Sequence, residues 1–303
     1  MEWLLDPLNA SFVQRALLGG SLVAVFCAVV GTWVVVRGMA FLGDAMAHGL
    51  LPGIAIASLL GGNLIIGAAL SAAATAAGVS AITRNRRVSQ DTAIGLLFVA
   101  MLSLGVILVS AAGSFAVDLA STLFGDVLAV RTEDIAVLAI VGVVVLVTAA
   151  LFHRAFAAAA FNQQKAASLG LRPRLSHFVL LCLITLAVAA SFQVVGTLLV
   201  FGLLIAPPAA ALLWAKSIRA VMFLGSLIGV ASVVAGLWVS WYASTAAGAT
   251  ISFIAALFYF GSACARSLRR NPQPALPASA PQPGQHLSLN PETESVPSAS
   301  HHA

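Results

Sequence analysis

Apolar residues run along this chain in long blocks, separated by short polar interruptions. The blocks fall near 12–36, 38–60, 64–83, 92–112, 134–152, 175–191, 194–214, 219–241 and 249–265. Each is close to the roughly 17–25 residues a helix needs to cross a bilayer core. The pattern predicts an all-α polytopic membrane protein of about nine transmembrane helices. Two stretches strain it. The hairpin 175–214 leaves almost no room for a turn, and the segment 113–133, SFAVDLASTLFGDVLAVRTED, is too polar to span. A partial or re-entrant helix is the expectation for the latter.

Composition agrees with the pattern. Of 303 residues, 60% are hydrophobic and only 8% charged, where a soluble domain carries about a quarter charged. The opening MEWLLDPLNA has no basic n-region, so no cleaved signal peptide is expected.

The charges then orient the spans. With the N-terminus outside, 13 of the 15 basic residues fall on the cytoplasmic side, and only Arg15 and Arg131 fall outside. The positive-inside bias therefore predicts an external N-terminus and a cytoplasmic C-terminus. The net charge of +5 marks these loops and gives no reason to expect a nucleic-acid partner.

Residues 1–270 form the expected transmembrane domain, and 271–303 a Pro/Ser-rich cytoplasmic tail holding seven of the twelve prolines. Such a composition buries no core and predicts disorder. His286, His301 and His302 lie in that tail and read as solvated. Cys27, Cys182 and Cys264 each stand alone in an apolar run, with no metal or redox spacing, and are expected to be small core residues. Small-residue pairs such as Gly225 with Gly229, Gly67 with Ser71 and Ala72 with Ala76 favour close helix approach in lipid.

Polar chemistry inside the spans is concentrated in RGMAFLGDAMAHGLLPG, residues 37–53. Asp44 and His48 are four apart, which puts both on one helix face. A charge at the bilayer centre costs about 2.5–3.5 kcal/mol or more, so a residue kept there usually has a polar task. If the helix runs on from Arg37, His48 lies about 16 Å along it, near the midplane, where transporter sites tend to lie.

Pro52 has no N–H for the carbonyl of His48, which predicts a kink. Pro207 and Pro208 release the carbonyls of Leu203 and Leu204 in the same way, predicting a second break beside the pathway. Oxygen and nitrogen on one face suit a divalent transition metal. The pair could equally hydrogen-bond to itself and hold a bundle together. As a metal site it lacks ligands, since zinc takes about four and manganese about six. Asp118 and Asp126, on the outer segment, are candidates for an entry site, although Asp126 also suits a helix cap or a pair with Arg131.

No GxxxxGK[ST], HExxH or GxSxG occurs, so P-loop ATP binding, zinc-protease and serine-hydrolase chemistry lack support. Acidic residues in the spans are too few for an ordinary proton relay.

The 37–53 segment resembles the signature of the permease subunits of metal-ion (Mn/Zn/Fe-type) ABC importers, approximately RRMSFLGDALSHAVLPG. Arg37, Met39, Phe41, Leu42, Gly43, Asp44, Ala45, His48, Leu51, Pro52 and Gly53 match it. Gly38 replaces the second Arg, Ala40 and Ala47 replace two Ser, and Met46 replaces Leu. The segments DTAIGLLF (91–98), STLFGDVL (121–128), GTLLVFGLLIAPPAAA (196–211) and GATISFIAALFYF (248–260) are similar to the family too.

The resemblance implies an importer permease bundle in a bacterial-type plasma membrane. It implies a second permease chain, most simply a homodimer, a dimer of cytosolic ATP-binding subunits, and an external metal-binding protein. It makes Asp44 and His48 ligands for transported Mn2+ or Zn2+, with no covalent cofactor and no catalysis by this chain. The segment 153–174 is expected to dock the ATPase through a short helix around Ala166–Gly170, although Asn162 stands where the family often has an acidic residue. A proton- or sodium-coupled metal carrier, or a permease of the same fold for a metal chelate such as a siderophore, are the alternatives.

Overall fold

A computed structural model describes residues 10–84, 89–111, 130–161 and 173–269. Met1–Ser267 form one compact unit and Leu268–Ala303 a second. The expectations for Asp118, Asp126, Lys165, Ala166–Gly170 and the tail 271–303 lie outside the described residues.

The described residues are helices and short connections: α1 (Ser11–Val36), α2 (Leu42–Gly49), α3 (Leu51–Leu59), α4 (Leu64–Arg84), α5 (Gln90–Ala111), α6 (Thr132–Leu151), α7 (His153–Phe161), α8 (Pro173–Val195), α9 (Thr197–Trp214), α10 (Ile218–Ala243) and α11 (Ala247–Arg269). Among these residues, nine stretches are long and apolar enough to cross a membrane, and α2 with α3 count as one of them. The predicted spans match in number and nearly in bounds. The tight hairpin is solved by Gly196, which alone separates α8 from α9 and takes φ 80°, where a side chain would be strained.

α1 is the centre of the bundle. Its Trp33, Phe26 and Cys27 are buried, and α6, α8, α9 and α10 pack around it. Lipid gives apolar helices little reason to associate, so close packing of small residues must hold them. Gly229 of α10 lies against Ala24, and Gly225 against Ala28 and Pro208. Gly31 lies against the backbone carbonyl of Leu204, and Gly20 against Val233. The Gly225–Gly229 pair thus mediates the close approach expected of it. At the periphery Ile107, Ile140, Leu151, Phe223 and Phe253 face outward, as they can where lipid is the solvent.

Three local expectations need correction. The second span does not begin as a helix at 38, because Arg37–Phe41 form a turn and Gly38 adopts φ 67°. The rise from Leu42 to His48 is therefore about 9 Å, shorter than the count from Arg37. Pro207 and Pro208 do not break α9, which stays helical from Thr197 to Trp214. Finally, Cys27 is a core residue but Cys182 and Cys264 are exposed. An apolar run does not reveal which side faces the core when the outer surface is apolar as well.

Candidate functional site

α2 is only eight residues long, and it carries the acid and the imidazole. Leu42, Gly43, Ala45, Met46, Ala47 and Gly49 are buried, which leaves Asp44 and His48 on the one partly open face. The Oδ1 of Asp44 lies 3.4 Å from the Nε2 of His48, and their side chains are 29% and 13% exposed. The i, i+4 reading therefore holds in space. The two polar atoms are close enough to share an ion.

Four helices fix α2. The ring of Phe98 on α5 lies 5.3 Å from the His48 ring, tilted by 59°. From α8, the Thr185 hydroxyl donates to the Sδ of Met46 at 3.4 Å. Leu204 of α9 fills the space beside Gly43, and Thr75 of α4 fills that beside Gly49. These four neighbours are apolar or weakly polar, and the pair supplies stronger ligands than they do. Among the described residues, no group of three His, Cys, Asp or Glu gathers to hold a metal.

After the pair the regular helical bonding is interrupted at Leu50, between α2 and α3, where the backbone still keeps φ −76° and ψ −30°, with Pro52 at the start of the second helix. The released carbonyl that finds a partner on another helix is that of Gly49. The Ser71 hydroxyl of α4 donates to it at 2.6 Å, and Thr75 Oγ1 lies 3.5 Å away. Inside a bilayer a freed carbonyl needs such a donor. Sequence reasoning placed Ser71 only as a small residue. The available signal was a Ser and a Thr four apart on one face of an apolar helix.

The N-terminal side of α2 connects to a different surface. The Arg37 guanidinium donates to the Phe156 carbonyl of α7 at 3.4 Å. Its burial shifts its pKa below the ordinary value. Trp33 meets His153 and Phe156 edge-on, with centroids 5.4 and 5.5 Å apart. The His153 imidazole is held below its usual pKa by burial and then by the charge of Arg219. So α7, the first part of the segment 153–174, is anchored to the end of α1, only a turn away from α2. Asp126 is outside the described residues; the Arg131 backbone N–H donates to Asp134 at 2.9 Å, capping α6.

Residues 9–266 match the ABC 3 transport family. The manganese transport system membrane protein MntC of Listeria monocytogenes is 37% identical over 260 residues, covering 86% of this chain and 92% of that one. The manganese import system permease protein ScaB of Streptococcus gordonii is 36% identical, covering 83% and 90%. A probable iron transport system membrane protein of Haemophilus influenzae is 33% identical, covering 85% and 95%. Among solved structures, PsaBC from Streptococcus pneumoniae in complex with Fab superposes with a TM-score of 0.76 at 34% identity, covering 86% of this chain and 94% of that one. With its nine apolar spans, its acid–imidazole pair and these relatives, the chain belongs to the ABC 3 transport family and is a multi-pass permease subunit of a metal ABC importer, with ATP hydrolysis left to a separate subunit.

Proposed function

We propose that this chain forms the ion pathway of an importer for manganese, with zinc as the competing cargo, and that Asp44 and His48 bind the ion in transit. The observation that carries the reading is the 3.4 Å approach of Asp44 Oδ1 and His48 Nε2 on the open face of α2. A carboxylate oxygen and an imidazole nitrogen are acceptable to both metals, but only zinc prefers a thiolate. Neither Cys182 nor Cys264 joins Asp44 and His48 in a metal-holding group. The relatives in Listeria monocytogenes and Streptococcus gordonii are named for manganese.

Two ligands hold an ion loosely, which suits a site that must release it. A second copy of this chain, related by two-fold symmetry, brings another Asp44 and His48 and raises the ligand count to four. Two cytosolic ATP-binding subunits drive alternating access, docking on the segment that begins with α7. An external metal-binding protein delivers the ion to the opposite side. The N-terminus is outside and the C-terminus inside. Residues 271–303 are a cytoplasmic tail. Membership of an ABC family sets aside the proton- or sodium-coupled carrier.

Radiolabelled Mn2+ and Zn2+ uptake tests this in cells lacking their own importers, with the neighbouring ATPase and binding protein co-expressed. Asp44→Ala and His48→Ala should each abolish manganese uptake while the protein remains in the membrane. Normal uptake in both variants overturns the ligand pair. Uptake of neither metal by the wild type reopens the cargo and favours a chelate.

A further inference from the structure

We propose that Ser71 and Thr75 of α4 form a two-hydroxyl latch that positions His48 for the ion, acting through the Gly49 carbonyl. The inference rests on the reading of His48 as a ligand. α2 ends at Gly49 and α3 begins at Leu51; Leu50 between them keeps helical angles, φ −76° and ψ −30°, but its N–H turns to the Ala47 carbonyl, three residues back, at 3.4 Å. The Gly49 carbonyl at this irregularity takes its outside bond from one face of α4. Ser71 Oγ donates to the Gly49 carbonyl at 2.6 Å. Thr75 Oγ1 donates to the Ser71 carbonyl at 2.8 Å and lies 3.5 Å from the Gly49 carbonyl.

A hydroxyl has one proton to give. Thr75 therefore spends it on the nearer Ser71 carbonyl and stands as the reserve donor to Gly49. Both residues are buried, Ser71 at 9% exposure and Thr75 at 0%.

The backbones on either side are clamped together. A Cβ on Gly49 would strike the Thr75 side chain, and one on Gly53 would strike the Gly67 carbonyl and the Ser71 Cβ. α4 thus grips the break from both ends, one residue away from His48. Phe98 restrains the imidazole from the other side. With the latch closed, the peptide following Gly49, one residue beyond His48, is fixed, and the ring presents Nε2 to Asp44. With the latch open, that peptide can turn, and the pair loses its mutual geometry.

The reserve donor makes a specific prediction. Ser71→Ala alone is covered by Thr75 turning to Gly49, and Thr75→Val alone leaves the 2.6 Å bond intact. The double variant has no donor left. The two substitutions should therefore be non-additive.

The test is Mn2+ affinity by titration calorimetry on the purified permease–ATPase complex. Melting temperature and uptake kinetics are measured alongside it. Each single variant should bind within about threefold of wild type and the double variant at least roughly tenfold more weakly, the equivalent of about 1.4 kcal/mol. In uptake the double variant should raise the half-saturating Mn2+ concentration more than it lowers the maximal rate. Ser71→Ala combined with Thr75→Ser, which keeps one hydroxyl, should bind as the single variants do and not as Ser71→Ala combined with Thr75→Val.

A purely structural role would lower melting temperature and maximal rate and leave affinity unchanged. That result overturns the latch, as does simple additivity. Asp44→Ala and His48→Ala are measured in parallel. If they also bind Mn2+ normally, the ligand reading itself fails. If they lose binding while the double variant keeps it, only the latch fails.

Discussion

Two spans of this bundle contain proline, and they answer it differently. Before Pro52 the regular helical bonding is interrupted at Leu50, between α2 and α3, while the backbone keeps helical angles. Around Pro207 and Pro208, α9 continues without interruption. Local chemistry alone would favour the opposite result, because two consecutive prolines remove two helical hydrogen bonds and one proline removes one.

The surroundings decide. Pro208 is wedged between helices, with Gly225 of α10 against its backbone and Gly31 of α1 against the Leu204 carbonyl it releases. The neighbours hold α9 in its helical path and shield the freed group. Beside Pro52, by contrast, α4 offers hydroxyl donors. Ser71 gives the Gly49 carbonyl a partner from outside the helix at 2.6 Å. A proline in a membrane helix therefore marks where a break is permitted, and donors on the next helix determine whether it is used.

The comparison can be broken most severely through the glycines. Gly31→Val places a side chain in the Leu204 carbonyl, and Gly53→Val places one in the Gly67 carbonyl. Backbone cannot swing aside, so each should reach or exceed the ~1–3 kcal/mol typical of overpacking. Loss of monodisperse protein in size-exclusion chromatography is the expected readout. Gly142→Ala, whose new methyl meets only the Phe26 ring at 3.4 Å, should be recovered normally.

Pro52→Ala sharpens the contrast next. It returns an N–H to the His48 carbonyl and lets α2 and α3 join. Uptake should fall by roughly tenfold, a change of about 1.4 kcal/mol, while recovery and melting temperature hold or rise. Wild-type uptake with a straightened helix would show that the break has no part in transport. Pro208→Ala should do less, because α9 is already helical there. Its uptake should stay near wild type, and a large loss would mean that the double proline carries a function its geometry does not express.

The smallest effect lies outside both spans, at His153. Its folded pKa is below the ordinary value of about 6.5. The neutral ring is the one that fits against Trp33. As pH falls below about 6.5, the unfolded chain takes up the proton first, so stability present at neutral pH declines. Melting temperature should drop modestly between neutral and mildly acidic pH. Arg219→Gln removes a like charge, raises the folded pKa and should flatten that slope.

Much of the fold was legible along the chain. Block lengths predicted nine spans, and the structure places helices within a few residues of each. The positions that escaped were those where the partner lies far away in sequence. Cys182 and Cys264 were expected inside and are exposed, since hydropathy does not distinguish a lipid-facing residue from a core one. The turn at Arg37–Phe41 hides inside an apolar run, betrayed only by Gly38.

Of the candidate site, the spacing of Asp44 and His48 was sufficient to place both on one face. Nothing in that spacing indicates Phe98, Thr185 or Ser71, which arrive from α5, α8 and α4.

By itself, the amino-acid sequence determined the solvent this protein lives in, the nine long apolar helices among the described residues, its family and the pair of ligands most worth testing. Those follow from local properties: apolar length, and the 3.6-residue period that brings positions 44 and 48 together. Tertiary structure alone decided which proline opens its helix, which freed carbonyl gains a donor, and which cysteine is buried. Each depends on a neighbour supplied by a different span, and in lipid that neighbour takes the place of water.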